Sequence, residues 1–245
     1  MTHVFPIAFD PGQPCTYNGH MKIFDGVKAV LFDLDGTLIE TNIDFNLMRR
    51  EVISFAEKYG IPASRLENLD ILSMVEVICA DISALEGYKK SETVRKEVLA
   101  ILERIELAHS LNASPIPHAH ELLKTLRNAG IKVGIITRNC RSAVAISLAK
   151  TGISGDVVLT RDDVRKTKPH PSHFLQALEI LKVPPENAVI IGDHWMDIQG
   201  GKAAGIRTIG FLRPDRSSDF FSQEHPDLVI KSLGELTHHV FRSKE

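Results

Sequence analysis

Short apolar runs alternate along the chain with longer stretches in which apolar residues recur at helical spacing. A short apolar run bounded by polar residues and glycine is typical of a buried strand, whereas the longer spacing is typical of a helix packed on one side. We predict strands at 29–32, 131–137, 157–160, 188–193, 208–211 and 228–230, with helices near 122–130, 141–150 and 172–181. This alternation predicts an α/β fold: a doubly wound, mostly parallel sheet with helices on both faces.

The alternation is interrupted after the first strand. Between residues 42 and 114 the chain has little proline or glycine and no strand-like run, which predicts a small helical domain. A first helix ends near Gly60, Ser64 with Glu67 predicts the N-terminal cap of a second, and a third is predicted at about 91–109. The predicted organisation is an N-terminal extension at 1–26, a core at 27–41 and 115–245, and a helical domain at 42–114.

Composition narrows the class of protein. The chain has 245 residues, 43% hydrophobic and 24% charged, which is typical of a globular protein. A formal net charge of -2 gives no electrostatic reason to bind nucleic acid or an anionic membrane, and no apolar run has the length of a membrane span. Cys15, Cys79 and Cys140 lie far apart and cannot all pair within the chain, so we expect free thiols in a reducing cytoplasm. Residues 1–26 lack the pattern of a secretion signal, and we expect an arm without catalytic function. The sequence leaves the choice between monomer and dimer open.

Two acids follow the first predicted strand. Asp33 and Asp35 lie two positions apart and precede Gly36, so they reach the carboxyl edge of the sheet together. Carboxylates crowded in this way repel each other and lose hydration, unless a cation neutralises them or one of them holds a proton. The alternative is an Asp-rich turn that caps the next helix.

Three further polar motifs lie near the ends of other predicted strands. Thr137 ends one strand, Lys168 lies in a Lys-Pro-His-Pro segment, and Asp193 and Asp197 follow another strand. Each motif alone has an ordinary interpretation: a helix cap for Thr137, a solvated charge for Lys168, and acids at a helix start for the aspartates. Ligands of open α/β sheets bind at this edge, so the motifs together favour one shared site.

In this order, the four motifs resemble those of the haloacid dehalogenase (HAD) superfamily. The stretch Asp33-Leu34-Asp35-Gly36-Thr37-Leu38 resembles the first motif, D-x-D-G-T-L/V. The others are similar to an apolar strand ending in Thr, a K-P-x-P segment and G-D-x-x-x-D. The resemblance covers about residues 28–236 and implies a Rossmann-like HAD core with a C1-type helical cap, similar to phosphoglycolate phosphatases.

This resemblance implies a Mg²⁺-dependent phosphatase. Asp33 would attack phosphorus to form an aspartyl-phosphate, and Asp35 would protonate the leaving oxygen and then take a proton from water. Mg²⁺ would be held by the Asp33 carboxylate, the Asp35 backbone carbonyl and Asp193. Dehalogenases lack the second acid, so Asp35 favours phosphate chemistry.

The same resemblance assigns the groups around the phosphate. Thr137, the backbone amide of Arg138 and Lys168 would hold the phosphoryl oxygens of a small phosphorylated metabolite. Lys166 is the nearby competitor of Lys168, whose flanking prolines favour it. Asp197 is either a further metal ligand or the group that orients Lys168.

Substrate recognition is less clearly specified. Phe45, Arg49 and Arg50, early in the predicted cap, are candidates to face the cleft, and the alternative is a solvated helix face with a core Phe. His194 and Trp195 lie near the predicted site without an assigned role.

Three other functions remain open at this point. A phosphomutase of the β-phosphoglucomutase kind would share the motifs and the cap. A phosphonate hydrolase would need a Schiff-base lysine, for which Lys89 and Lys90 are candidates. A non-catalytic binding module would be expected to have lost a catalytic position, and here all are present.

Overall fold

The computed structural model describes residues 22–237, which contain eight strands and seven α-helices. The strands are β1 (Ala29–Phe32), β2 (Ile39–Glu40), β3 (Ser114–Pro115), β4 (Lys132–Ile136), β5 (Val157–Leu159), β6 (Ala188–Gly192), β7 (Arg207–Phe211) and β8 (Leu228–Ile230). The helices are α1 (Phe45–Glu57), α2 (Ile71–Glu86), α3 (Tyr88–Ser110), α4 (Ala119–Asn128), α5 (Arg141–Thr151), α6 (Pro171–Leu181) and α7 (Trp195–Ala203). The predicted strands and helices of the α/β core are all present.

Six of the strands form one parallel sheet in the order β5-β4-β1-β6-β7-β8. In the centre, Phe32 of β1 pairs with Ile135 of β4 on one side and Ile191 of β6 on the other. Because the strands are parallel, the residues that follow β1, β4 and β6 meet at one edge of the sheet. The predicted doubly wound α/β fold is therefore confirmed.

Helices cover both faces of this sheet. Along β1, Val30 and Phe32 pack on one face with α4 and α5, whereas Ala29 and Leu31 pack on the other with α6. All four side chains are fully buried. Burial on both faces explains why β1 is a continuous apolar run rather than an alternating pattern.

Helices α1, α2 and α3, called the helical insert below, have a hydrophobic core of their own, separate from those of the sheet. The insert follows β1, and a short antiparallel pair of β2 and β3 lies where the chain leaves and re-enters the core. The domain boundaries given by the sequence stay a prediction. Within residues 22–237 no helix combines the length and the apolar character needed to cross a membrane.

The predicted start of the second helix is wrong. Ser64 lies in a short 3₁₀ turn, and α2 begins after Asp70 instead. The Asp70 carboxylate accepts hydrogen bonds from the amides of Leu72 (3.2 Å) and Ser73 (3.4 Å), so Asp70 satisfies two of the orphan donors of the helix start. A single aspartate thus fulfils the role that the sequence assigned to a Ser–Glu pair.

The third helix starts earlier than predicted, at Tyr88, because Gly87 adopts a φ of 86° and joins α2 to α3 without a longer loop. Cys79 and Cys140 are free and buried, as expected for thiols without partners. Cys15 and residues 1–21 of the predicted extension lie outside the described residues.

Candidate active site

The loop after β1 brings two acids to the sheet edge. Asp33 directly follows the strand, and the chain then turns, with the amide of Leu38 donating to the carbonyl oxygen of Leu34 at 2.9 Å. Gly36 has a φ of +83°, and a Cβ atom at this position would lie 2.3 Å from a carboxylate oxygen of Asp193. Glycine is therefore required for Asp193 to approach the loop.

Three carboxylates converge beyond this loop. Asp33, Asp193 and Asp197 each offer an oxygen atom, and these oxygens lie within 4.8 Å of one another. Burial raises the pKa of Asp193 well above its ordinary value, and the charges of Asp33 and Asp197 raise it further. Oxygen donors crowded in this way suit a hard divalent cation, so the cluster could hold one.

Lys168 lies inside this acidic cluster, with only 4% of the residue exposed. Its Nζ donates to Asp197 Oδ1 at 2.7 Å and also to Asp33. Burial lowers the pKa of Lys168, but the two carboxylates raise it by more, so the ammonium stays charged. Lys166, the competing lysine of the sequence, is exposed.

The backbone of Lys168 is held by His173, which the sequence did not single out. The Lys168 amide donates to Nδ1 of His173 at 3.2 Å. Burial lowers the pKa of His173 to about 4, and the charge of Lys168 lowers it further, so the ring is neutral and can accept this bond.

Asp197 orients Lys168 and also stabilises the start of α7. One of its carboxylate oxygens accepts from Lys168, and the other accepts from the amide of His194 at 3.2 Å. His194 in turn caps the helix, because its Nδ1 accepts from the amide of Met196 at 3.4 Å. Trp195 contacts the His194 ring, with centroids 5.4 Å apart. Since both oxygens of Asp197 are engaged, the geometry favours its orienting role over metal ligation.

Asp35 lies in different surroundings from Asp33. Its carboxylate accepts hydrogen bonds from the hydroxyl of Thr41, just after β2, and from the side-chain amide of Asn139, after β4. Burial raises the pKa of Asp35 to about 7 against the effect of the Thr41 bond, and the charge of Asp33 adds to the rise. The two acids of the first motif are thus unequal: Asp33 faces a cation, and Asp35 is suited to carry a proton.

The second motif lies beside the first, as the sheet order requires. Thr137 is buried at the end of β4, its amide donates to the Leu159 carbonyl oxygen at 2.9 Å, and its hydroxyl accepts from the Asn139 amide at 3.2 Å. The side chain of Arg138 extends from the same loop and pairs with Asp70 of the helical insert.

An arginine from a distant loop completes the site. Arg213, after β7, donates to the Gly36 carbonyl oxygen at 3.3 Å and pairs with Glu40, and its Nε lies 4.0 Å from Asp193 Oδ2. Asn139 could have been found in the sequence, since it is an amide two residues from Thr137 at a strand end. Arg213 could not, because only the fold brings that loop to the site.

Of the predicted substrate residues of the insert, Arg49 is engaged within the insert itself, and a substrate role for all three stays a prediction. The Arg49 guanidinium donates to carbonyl oxygens between α1 and α2, including that of Glu67 at 3.0 Å, so its hydrogen bonds hold a turn within the insert. Arg50 is exposed, as is Phe45. Lys90 lies over the ring of Tyr59, 5.3 Å from its centroid.

The fold and these side chains together define a hydrolase of the haloacid dehalogenase type. The sequence model of the haloacid dehalogenase-like hydrolase family matches residues 30–211, and the chain belongs to this family. A curated relative, the pyrophosphatase PpaX of Bacillus velezensis, is 30% identical over 215 residues, which cover 86% of this chain and 95% of the relative.

Solved structures agree with this assignment. A HAD phosphatase from Thermococcus onnurineus is 28% identical, with a TM-score of 0.56 over 86% of this chain and 97% of that chain. A predicted phosphoglycolate phosphatase from Haemophilus somnus is 19% identical, with a TM-score of 0.58 over 87% of this chain and 97% of that chain, and it supports the fold alone. The predicted resemblance to HAD hydrolases is confirmed.

Proposed function

We propose that the protein is a Mg²⁺-dependent cytoplasmic phosphatase that hydrolyses a small phosphorylated metabolite through an aspartyl-phosphate. The proposal rests on one arrangement: Asp33 contacts the buried ammonium of Lys168, while Asp35, two residues on, is held separately by Thr41 and Asn139. Phosphoryl transfer to a carboxylate requires a nucleophile next to a cation, together with a nearby group that carries a proton. The relatives named as a pyrophosphatase and a HAD phosphatase support the same chemistry.

The acidic cluster supports a role for Mg²⁺. Asp33, Asp193 and the backbone carbonyl of Asp35 are the groups that would hold the ion, because Mg²⁺ prefers hard oxygen donors. Burial, and after it the charges of Asp33 and Asp197, raises the pKa of Asp193, and a bound cation would stabilise its charged form. When bound, Mg²⁺ would offset the charge of these carboxylates and of the phosphoryl oxygens.

The chain's own residues account for the two chemical steps. An oxygen of Asp33 attacks phosphorus and the bond to the leaving oxygen breaks, while Asp35 gives that oxygen its proton. Asp35 then takes a proton from the water that attacks the aspartyl-phosphate, which releases phosphate and restores Asp33. Lys168 and the Thr137 hydroxyl hold the phosphoryl oxygens during both steps. The helical insert acts as the cap that limits access of water to the site.

The test is phosphate release from a panel of phosphorylated metabolites, with and without Mg²⁺. We expect turnover that is lost on removing Mg²⁺ with EDTA and restored by adding it. The substitution Asp33→Asn should lower kcat by at least about a thousandfold, since it removes the nucleophile. Asp81→Asn is the matched control, because Asp81 pairs with Arg65 on the surface of the insert and should leave kcat unchanged.

Retention of near wild-type turnover in Asp33→Asn would refute the nucleophile assignment. Product analysis separates the main alternative, because a phosphomutase would isomerise a sugar phosphate and release little free phosphate. Absence of turnover of every phosphate ester by the wild-type protein would favour a binding module instead.

A further inference from the structure

Arg138 reaches from the end of β4 to the start of α7. It follows Thr137 at the end of β4, and its guanidinium lies against Sδ of Met196, in the first turn of α7. Helix α7 follows β6, and β1 lies between β4 and β6 in the sheet. The Arg138 side chain therefore passes above the end of β1, where Asp33 and Asp35 are placed.

The same guanidinium faces the helical insert. It donates to Oδ1 of Asp70, and this ion pair links the core loop to the insert. Asp70 is itself held by α2, since it accepts from the amides of Leu72 and Ser73. A carboxylate of the insert is thus fixed against this guanidinium, and it marks a position where a negative group can bind the arginine.

Arg138 has further capacity to bind an anion. Its Nε is buried and has no hydrogen-bond partner among residues 22–237. A guanidinium offers five N–H donors in a planar fork, which binds carboxylate and phosphate groups through two bonds at once. A buried donor without a partner is unfavourable, and an anionic group of the substrate would satisfy it.

We propose that Arg138 is a specificity residue that selects phosphate compounds whose leaving group carries a second anionic group, either a carboxylate or a phosphate. The inference rests on the proposed phosphatase function. With the transferred phosphoryl group at Asp33, Thr137 and Lys168, the leaving group extends from the sheet edge toward the insert and meets the guanidinium. Arg138 binds the second anion there, in competition with Asp70.

The experiment compares kcat/KM for three substrates: phosphoglycolate, inorganic pyrophosphate and glycerol phosphate, whose leaving groups carry a carboxylate, a phosphate and no charge. The readout is the kcat/KM for each anionic substrate divided by the kcat/KM for glycerol phosphate, so that any loss common to all substrates cancels. Arg138→Gln should lower the ratio for the preferred anionic substrate by about 10- to 100-fold, as expected for a lost charged hydrogen bond. Arg138→Lys keeps the charge but loses the planar fork, so its ratio should lie between those of the wild type and Arg138→Gln.

Three further variants locate the effect. Arg141→Gln is the matched control, because Arg141 pairs with Asp163 at the surface and should leave the ratio unchanged. Asp70→Asn keeps a side chain that can cap α2 and removes the competing charge, so it should raise the ratio. Arg216 stacks on Phe220 with its guanidinium carbon 4.9 Å from the ring centroid, and Arg216→Gln should not change the ratio.

Two results would overturn the inference while leaving the phosphatase function intact. One is an equal loss for all three substrates in Arg138→Gln, which would mean that the arginine only positions the loop. The other is a lower ratio in Arg216→Gln together with an unchanged ratio in Arg138→Gln, which would mean that a different arginine binds the second anion. A wild-type protein that hydrolyses none of the three would instead refute the phosphatase function and this specificity with it.

Discussion

The buried ion pair between Glu106 and Arg161 gives a quantitative test of how the helical insert is fixed to the core. Glu106 lies on α3, Arg161 follows β5, and their side chains are only 4% and 5% exposed. Substitution Glu106→Gln leaves the guanidinium buried without its partner charge, which costs about 3–5 kcal/mol in proteins. Asp162 lies 3.9 Å from the Nε of Arg161 and compensates in part, so we expect the lower end of this range, about 3 kcal/mol.

The measurement is the free energy of unfolding in urea at pH 7, followed by circular dichroism. Glutamine can still accept the bond that the Cys140 amide makes to Glu106 at 3.0 Å, so the loss reports the charge. The matched variant is the double substitution Glu106→Gln with Arg161→Met, which removes both charges, keeps an acceptor for the Cys140 amide and should be more stable than Glu106→Gln alone. A loss below about 1 kcal/mol in Glu106→Gln, or a double variant less stable than the single one, would refute the reasoning.

Three other predictions concern single positions. Gly36→Ala should displace Asp193, because the new Cβ would lie 2.3 Å from its carboxylate. A displacement near 1 Å in an active site lowers kcat by about a hundredfold, and an unchanged kcat would contradict the close approach. Burial raises the pKa of Asp163, but hydrogen bonds from Thr160 lower it by more, so the folded pKa lies below the unfolded value. The ionised carboxylate therefore stabilises the folded protein above the unfolded pKa of about 4, and this contribution is lost as the pH falls through the lower folded pKa. The loss in free energy of unfolding caused by Asp163→Asn, measured in urea, should therefore be smaller at pH 3 than at pH 7. An equal loss at both pH values would argue against a lowered pKa for Asp163. Burial raises the pKa of Cys140 to about 12, so iodoacetamide at pH 8 should label this thiol only after unfolding. Peptide mass mapping detects the label, and rapid labelling of the native protein would show that the thiol is accessible.

The sequence predicted the core fold because β1, β4 and β6 are buried on both faces and therefore appear as continuous apolar runs. It brought Asp33, Thr137 and Asp193 together because their motifs follow those strands, and parallel strands bring such residues to one edge.

What the sequence could not predict depends on contacts between distant segments. Arg213 reaches Asp193 from the loop after β7, His173 holds Lys168 from within α6, and neither residue differs in its local pattern from an ordinary surface or core residue. The same limit applies to Arg49: helical spacing placed it near the start of the insert, but its partners are carbonyl oxygens near Glu67 that no periodic pattern reveals.

The central claim is that Asp33 is the nucleophile and Asp35 the proton carrier, and it is tested most directly by trapping the phosphoryl group. In Asp35→Asn, p-nitrophenyl phosphate has a leaving group that needs no proton, so the first step can proceed while the attacking water has no base. After an acid quench, we predict one phosphoryl group per chain, located on Asp33 by peptide mass mapping and absent when Asp33→Asn is added. A phosphoryl group on another residue, or continued turnover with none trapped in rapid-quench samples, would contradict the account.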